Sequence, residues 1–324
     1  MSGTWLRDMC SCSHCRNPDT AQRNINVLKM NSTDWAIKNI EISQDAEGRV
    51  FDVVFGDGHR SRFPSTLFQY RSGLPSRASR GGYVPIKVWT ADIADHVPEV
   101  PYADIVAGPG MARLLRLIRE HGFAFVDDMP ATPEATEALL SSIGPIRNTH
   151  YGGFYDFTSD LSSKDTAYTA EALEPHTDNT YFTEPAGLQA LHMLSHPDGS
   201  GGESSLVDGF NAAAQLCHED RKAYTVLSQT GVYAHASGNE GISIQPAQPV
   251  PVFNHNNNLG ILEQVRWNNA DRAGVATTFK HIDRWYDAAA KFDAILSKPE
   301  NQYWFQLKPG RMLRMWTPVW CLGK

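Results

Sequence analysis

His176-Thr177-Asp178 places an imidazole and a carboxylate two positions apart. On extended backbone, side chains repeat every two residues, so the two point the same way. Together they can supply two adjacent members of the 2-His-1-carboxylate triad, which holds non-haem Fe(II) and leaves open positions for reactants. His-x-Asp alone is a weak signal, and its setting gives it weight. It lies inside Glu174-Pro175-His176-Thr177-Asp178-Asn179-Thr180-Tyr181-Phe182. A second set sits near the start of the chain, where Cys10, Cys12 and Cys15 fall within six residues. Three thiolates so spaced can converge on one tetrahedral Zn(II), with His59 from a hairpin closing the site. A closed site of that kind is structural. His14, inside the cluster, is the less favoured ligand.

Further stretches surround these residues. Tyr151-Gly152-Gly153-Phe154-Tyr155 and Asp165-Thr166-Ala167-Tyr168-Thr169 precede the His-Thr-Asp segment. Trp5-Leu6-Arg7-Asp8, Leu206-Val207-Asp208-Gly209-Phe210, Asn268-Asn269-Ala270-Asp271-Arg272 and Lys308-Pro309-Gly310-Arg311 extend the set almost end to end. In these motifs the chain resembles the trimethyllysine dioxygenases, in the gamma-butyrobetaine hydroxylase-like branch of the 2-oxoglutarate oxygenases. The resemblance implies His176 and Asp178 as iron ligands, and Cys10, Cys12, Cys15 and His59 as ligands of a structural Zn(II). It implies a reaction in which oxidative decarboxylation of 2-oxoglutarate to succinate and CO2 is coupled, through O2, to hydroxylation of an unactivated C–H bond. Ascorbate would keep the iron reduced.

The same resemblance assigns the substrate site. Tyr151, Tyr155 and Tyr168 match the residues that cage a trimethylammonium group. Such a group donates no hydrogen bond and is recognised by ring faces, each worth about 0.5 to 2 kcal/mol. Other members often have Trp where this chain has Tyr155. Asp165 stands where butyrobetaine hydroxylases resemble one another in having Asn, and an anion there suits the α-ammonium of trimethyllysine. Asn268 is expected to orient the substrate carboxylate. The implied function is hydroxylation of N6,N6,N6-trimethyl-L-lysine at carbon 3, in carnitine biosynthesis. Gamma-butyrobetaine hydroxylation is the alternative within the class. A non-catalytic quaternary-ammonium binding remnant is the alternative outside it.

At 324 residues, 41% of them hydrophobic, the chain has enough apolar material for a sizeable core. No run approaches the ~18 to 20 apolar residues of a membrane span. A net charge of −7 without a Lys/Arg cluster gives no electrostatic footprint for nucleic acid or acidic lipid. Neither partner is expected, while relatives point to a homodimer. Five cysteines, three clustered near one end, suit a metal site in a reducing compartment better than a disulfide framework. The expected location is cytoplasmic or mitochondrial, with no transit peptide in evidence.

Elements must position these groups. Arg49 to Phe55 alternates like a strand, Asp57-Gly58 supplies a hairpin turn, and the return strand starts at His59. A Pro/Gly/Ser-rich stretch, about Arg71 to Val100, reads as a linker or crossing segment. Met111 to His121 has helical spacing with Gly122 as its stop, Phe123 to Val126 is a short buried strand, and Thr132-Pro133 opens a helix. Beyond Ile146, short apolar segments suggest strands at Gly187–Leu194, Ser204–Val207 and Ile261–Trp267. One long helix, Ile282–Ser297, interrupts them, with Ile282, Trp285, Tyr286, Ala289 and Phe292 inward. The expected fold is mainly β with helices, a double-stranded β-helix (jelly roll) oxygenase core with a small N-terminal zinc-binding β domain. The boundaries read as 1–75 for the zinc-binding domain, 76–104 for the linker and 105–324 for a TauD-like oxygenase domain.

The resemblance stops after Gly310-Arg311-Met312-Leu313. Relatives continue with a segment carrying the third iron ligand, a His, and later the arginine that clamps 2-oxoglutarate. By count, Leu322 occupies the His position. The expectation is a chain truncated at both ends relative to its kin, weakly active or inactive as written.

Overall fold

In a computed structural model, the described residues are 2–46, 48–71, 86–156, 173–196, 202–237, 241–256, 260–316 and 320–323. They form two compact units, Met1–Tyr83 and Val84–Lys324.

The first unit begins with a one-turn-and-a-half helix, Gly3–Asp8, whose Trp5 N–H donates to the Ser2 hydroxyl at its N-cap. Three antiparallel strands follow: β1 (Ile37–Asp45), β2 (Gly48–Phe55) and β3 (Arg60–Pro64). Asp57-Gly58 makes the β2–β3 turn where the sequence placed it, with Gly58 at φ +83, a conformation glycine adopts without strain. Val53 and Phe55 of β2 and Phe63 of β3 bury against Leu6, Cys10 and Cys15.

The second unit is built from β4 (Glu99–Pro101), β5 (Phe123–Asp127), β6 (Gln189–His192), β7 (Glu203–Asp208), β8 (Gly231–Ala234), β9 (Val250–Pro251), β10 (Phe253–Asn256), β11 (Ile261–Val265), β12 (Arg272–Val275), β13 (Gln302–Gln306), β14 (Met312–Met315) and β15 (Trp320–Gly323). Among the described residues these make a four-stranded sheet β4-β5-β14-β6, two three-stranded sheets β13-β7-β15 and β12-β8-β9, and the hairpin β10-β11. The late strands insert between early ones: β14 lies between β5 and β6, and β13 and β15 flank β7. The first two sheets pack face to face, with Phe123 stacked on Tyr303 at 6.2 Å and Phe125 edge-on to Phe305 at 5.1 Å. Strand β14 is buried on both sides. Leu313 and Met315 enter the core between the sheets, and Met312 enters a second core with Leu114, Ile118 and Leu139 from two covering helices.

Those covering helices are Pro109–His121 and Pro133–Ile143. The first ends at Gly122 in the left-handed region (φ +78), and the second is capped by the Thr132 hydroxyl, which accepts from Ala135 N–H at 3.3 Å. The long helix runs Phe279–Leu296 and buries Trp285, Ala289 and Phe292 as expected. Tyr286, expected inward, is 48% exposed. One residue on from Trp285 it is turned by about 100°, off the apolar stripe. Two helices were not foreseen, Gly209–Glu219 and Arg221–Gln229, each capped by an aspartate side chain, Asp208 and Asp220. Their apolar residues, among them Ala212, Ala213, Leu216, Ala223 and Leu227, join the core that holds Trp285 and Phe292.

Candidate active site and metal centres

His176 and Asp178 sit in an irregular segment leading toward β6, where neighbours from elsewhere in the chain hold them. The His176 ring places Nδ1 2.8 Å from the Glu174 carbonyl. Since a carbonyl only accepts, Nδ1 carries a proton and Nε2 is the ring atom turned toward Asp178. Nε2 lies 3.4 Å from Asp178 Oδ1, with the two side chains 16% and 27% exposed. Burial pulls the imidazole pKa down, but the hydrogen bond and charge of Asp178 outweigh it and lift His176 to about 9, with Glu174 and Asp271 adding to the effect. Burial works against the Asp178 carboxylate, yet His176 and a hydrogen bond from Gln189 hold it below its ordinary value. With a pKa of about 9, the metal-free imidazole is protonated at Nε2 as well and donates to Asp178. A divalent ion would displace this proton and be held by the nitrogen lone pair and the carboxylate oxygen. Gln189 keeps its Oε1 buried without a partner.

Thr177, between the two ligands, is 2% exposed. Its N–H donates to the Trp267 carbonyl at 2.6 Å, and its hydroxyl accepts the Trp267 N–H at 2.8 Å. Next to Trp267, buried Arg266 donates to the carbonyls of Thr180 and Phe182, both at 2.6 Å, and of Thr183 at 3.1 Å. The end of β11 thus grips the ligand-bearing segment on both sides of Asp178.

Of the expected cage residues, Tyr151 and Tyr155 lie together with ring centroids 5.9 Å apart. Tyr181 links them to the metal segment, since its hydroxyl is hydrogen-bonded to Tyr151 and accepts from Asn179 at 3.2 Å. Burial pushes the Tyr181 hydroxyl up to about 12, so it stays neutral. Tyr168 and Asp165 lie outside the described residues. Asn268 is engaged locally. Its Oδ1 accepts the N–H groups of Ala270 and Asp271, and its amide donates to Asp271 at 2.9 Å. Of the other histidines in this unit, His192 meets Thr136, His255 meets Tyr224, His235 meets Ser237 and His196 meets Gln306, whereas His150 lies against Tyr151 and Tyr181, with ring centroids 3.9 and 5.7 Å apart. Leu322 pairs with Leu206 in the β15–β7 register.

In the first unit, Cys10, Cys12, Cys15 and His59 bring their donor atoms within 4.8 Å of one another. His59 Nε2 lies 3.4, 3.7 and 3.5 Å from the sulfurs of Cys10, Cys12 and Cys15. Zn–S and Zn–N bonds at the tetrahedral angle set S···N at about 3.6 Å, so the four fit a zinc ion. Burial, then the charge of Arg7, lowers the His59 pKa and favours the neutral, ligating imidazole. Burial and the neighbouring sulfurs push the Cys15 thiol up to about 12, against the pull of Arg7, so three ionised sulfurs here call for a cation. His14 lies beside His59, ring centroids 5.8 Å apart, but outside the ligand set.

Residues 85–316 match the Taurine catabolism dioxygenase TauD, TfdA family, and residues 1–71 match the Gamma-butyrobetaine hydroxylase-like N-terminal family. The chain therefore belongs to the TauD, TfdA class of dioxygenases, and its fold is the jelly-roll type of that class. PvcB from Pseudomonas aeruginosa, described as an Fe, alpha-ketoglutarate dependent oxygenase, has this fold, with a TM-score of 0.51 at 14% identity over 68% of this chain and 75% of PvcB. Within the class, the chain is a member of the trimethyllysine dioxygenase family. It is 41% identical to the trimethyllysine dioxygenase of Neurospora crassa, covering 95% of this chain and 72% of that one, and 36% identical to the human mitochondrial enzyme, covering 95% and 73%. Human gamma-butyrobetaine dioxygenase is more distant, at 22% over 95% of this chain.

Proposed function

We propose that this chain acts on N6,N6,N6-trimethyl-L-lysine as a 2-oxoglutarate- and Fe(II)-dependent dioxygenase, hydroxylating carbon 3 in carnitine biosynthesis. The observation that carries the reading is the His176–Asp178 pair, 3.4 Å apart, in a chain aligned over 95% of its length with trimethyllysine dioxygenases. His176 Nε2 and Asp178 Oδ1 would hold the iron. When bound, iron with 2-oxoglutarate and O2 supplies the oxidising power for the C–H bond, and ascorbate would keep it reduced. The protein's part is placement. Glu174 fixes the His176 tautomer, Gln189 orients the Asp178 carboxylate, and Trp267 and Arg266 fix the segment between and beyond them. Tyr151 and Tyr155 offer ring faces to the trimethylammonium end, with Tyr168 and Asp165 proposed to complete the site.

The test is succinate formation dependent on trimethyllysine, Fe(II) and O2. His176→Ala is expected to abolish it, and trimethyllysine is expected to outcompete gamma-butyrobetaine as substrate. Succinate output that ignores trimethyllysine would reject the reading. The expectation, by count, that Leu322 takes the position of the third iron ligand motivates a second reading: quaternary-ammonium binding with little or no turnover. Calorimetric trimethyllysine binding without succinate would select it. A homodimer and a mitochondrial location, the latter suggested by the names of the human and bovine relatives, complete the proposal. Sedimentation and cell fractionation test them.

A further inference from the structure

Three sulfurs and one imidazole around a zinc ion carry one net negative charge, because three thiolates outweigh the divalent cation by one. That charge sits in a small core where Cys10 and Cys15 are 3% and 1% exposed, so it needs compensation from the protein. Each sulfur has a hydrogen-bond donor. Cys12 accepts from the backbone N–H groups of His14 and Cys15, and Cys10 accepts from the Ser61 hydroxyl at 3.0 Å. Cys15 accepts from Arg7 Nη1 at 2.7 Å. Of these donors only Arg7 brings a formal charge, and its side chain is 2% exposed.

The other contacts of Arg7 show which partner it serves. Its Nη2 reaches Asp57 at 3.3 Å, farther than the sulfur, and Asp57 is 26% exposed and so remains partly solvated. The Phe55 ring lies 5.6 Å below the guanidinium, while Nε is buried without a partner. Burying a cation this deeply against a neutral thiol would cost more than it returns, whereas a thiolate bound to metal is a fitting counter-charge. Asp57 also accepts the His59 N–H at 2.9 Å through its other oxygen, so the residue that supplies the fourth ligand is steadied by an acceptor that an amide would keep.

Resting on the zinc reading above, we infer that Arg7 is the charge-balancing, positioning residue of the Cys10/Cys12/Cys15/His59 centre, through its buried 2.7 Å contact with the Cys15 sulfur. The test uses the full chain loaded with zinc, followed by release of the metal to a chromogenic chelator in excess. Arg7→Met keeps length and apolar packing but removes the charge, and is expected to release zinc about 10- to 100-fold faster. Arg7→Lys restores a charge without the planar fork and is expected to fall within a few-fold of wild type. Asp57→Asn keeps the acceptor for His59 N–H while leaving the Arg7 charge undivided, and is expected to release zinc no faster than wild type. It also keeps the test decisive if Arg7→Met folds poorly.

Equal release from wild type and Arg7→Met would overturn the inference, as would equally fast release from the Met and Lys variants, which would make shape rather than charge the cause. Faster release from Asp57→Asn would likewise reject it in favour of a purely structural bridge. Elemental analysis of the wild-type chain separates the two layers. No zinc at all removes the zinc reading itself, whereas bound zinc with an indifferent Arg7→Met removes only the role of Arg7.

Discussion

Thr177 stands between the two proposed iron ligands but faces away from them, into a two-way hydrogen bond with the backbone of Trp267. A residue so placed acts on the metal through its neighbours, by fixing where His176 and Asp178 project. Thr177→Val preserves volume and removes the hydroxyl, leaving the buried Trp267 N–H without its acceptor. Iron binding, measured by anaerobic titration with Fe(II), is expected to weaken about 10-fold, and Thr177→Ser is expected to recover most of the loss. Unchanged binding in the valine variant would limit Thr177 to a packing role. His176 and Asp178 and the Cys10/Cys12/Cys15 cluster stood out in the sequence by close spacing, and it was the resemblance of the flanking motifs, not the spacing alone, that assigned their roles and added His59. Thr177–Trp267, separated by 90 positions, and Asp178–Gln189 were not legible there, since pairs brought together by the fold leave no local pattern. Tyr181 fell between these cases. It lies inside the metal motif, yet its link to Tyr151 appears only when the two segments meet.

Elements with a strong stop or start were read to within a few residues. Gly122 ends one helix, Thr132-Pro133 starts another, and Asp57-Gly58 turns a hairpin. The strand was read only to Val207 and no element was assigned to the residues after it, where the signal that starts the first of two helices is a single side chain. Asp208 is the last residue of β7 and the N-cap of the next helix, accepting from Asn211 N–H at 2.8 Å and from Trp89 N–H at 2.9 Å. It is 1% exposed, and burial pushes its carboxyl up to about 7 despite the N–H groups of Asn211, Trp89 and Phe210. A carboxyl whose folded pKa lies above its ordinary value binds more protons folded than unfolded. Its contribution to stability therefore falls as pH rises from about 4 to 7 and then levels off. Asp208→Asn keeps an acceptor and cannot ionise, so the variant is expected to gain on wild type as pH rises from 5 to 8. Urea unfolding at several pH values checks this. A difference between the two proteins that stays constant across that range would show that the cap is ionised throughout.

The two units follow different stability logic. Val84–Lys324 has large cores of its own, with Phe123, Phe125, Trp285 and Phe292 all nearly inaccessible to solvent. Among the described residues, Met1–Tyr83 has one three-stranded sheet and a small cluster around Leu6, Val53, Phe55 and Phe63, in which two of the buried side chains are cysteines of the proposed zinc centre. Small cores of this kind fall short of the conformational entropy they must overcome, and a structural metal supplies the difference as binding free energy coupled to folding. The family matches divide the chain in the same way, at 1–71 and 85–316. Removing zinc should therefore act on one unit and spare the other. Amide hydrogen exchange before and after stripping with a strong chelator is expected to show lost protection in β2, β3 and the Gly3–Asp8 helix, while β5, β7 and β14 keep theirs. If protection in the first unit survives zinc removal, its apolar cluster is sufficient without the metal. If protection falls in both units alike, the two unfold as one cooperative body and the zinc centre supports the whole chain.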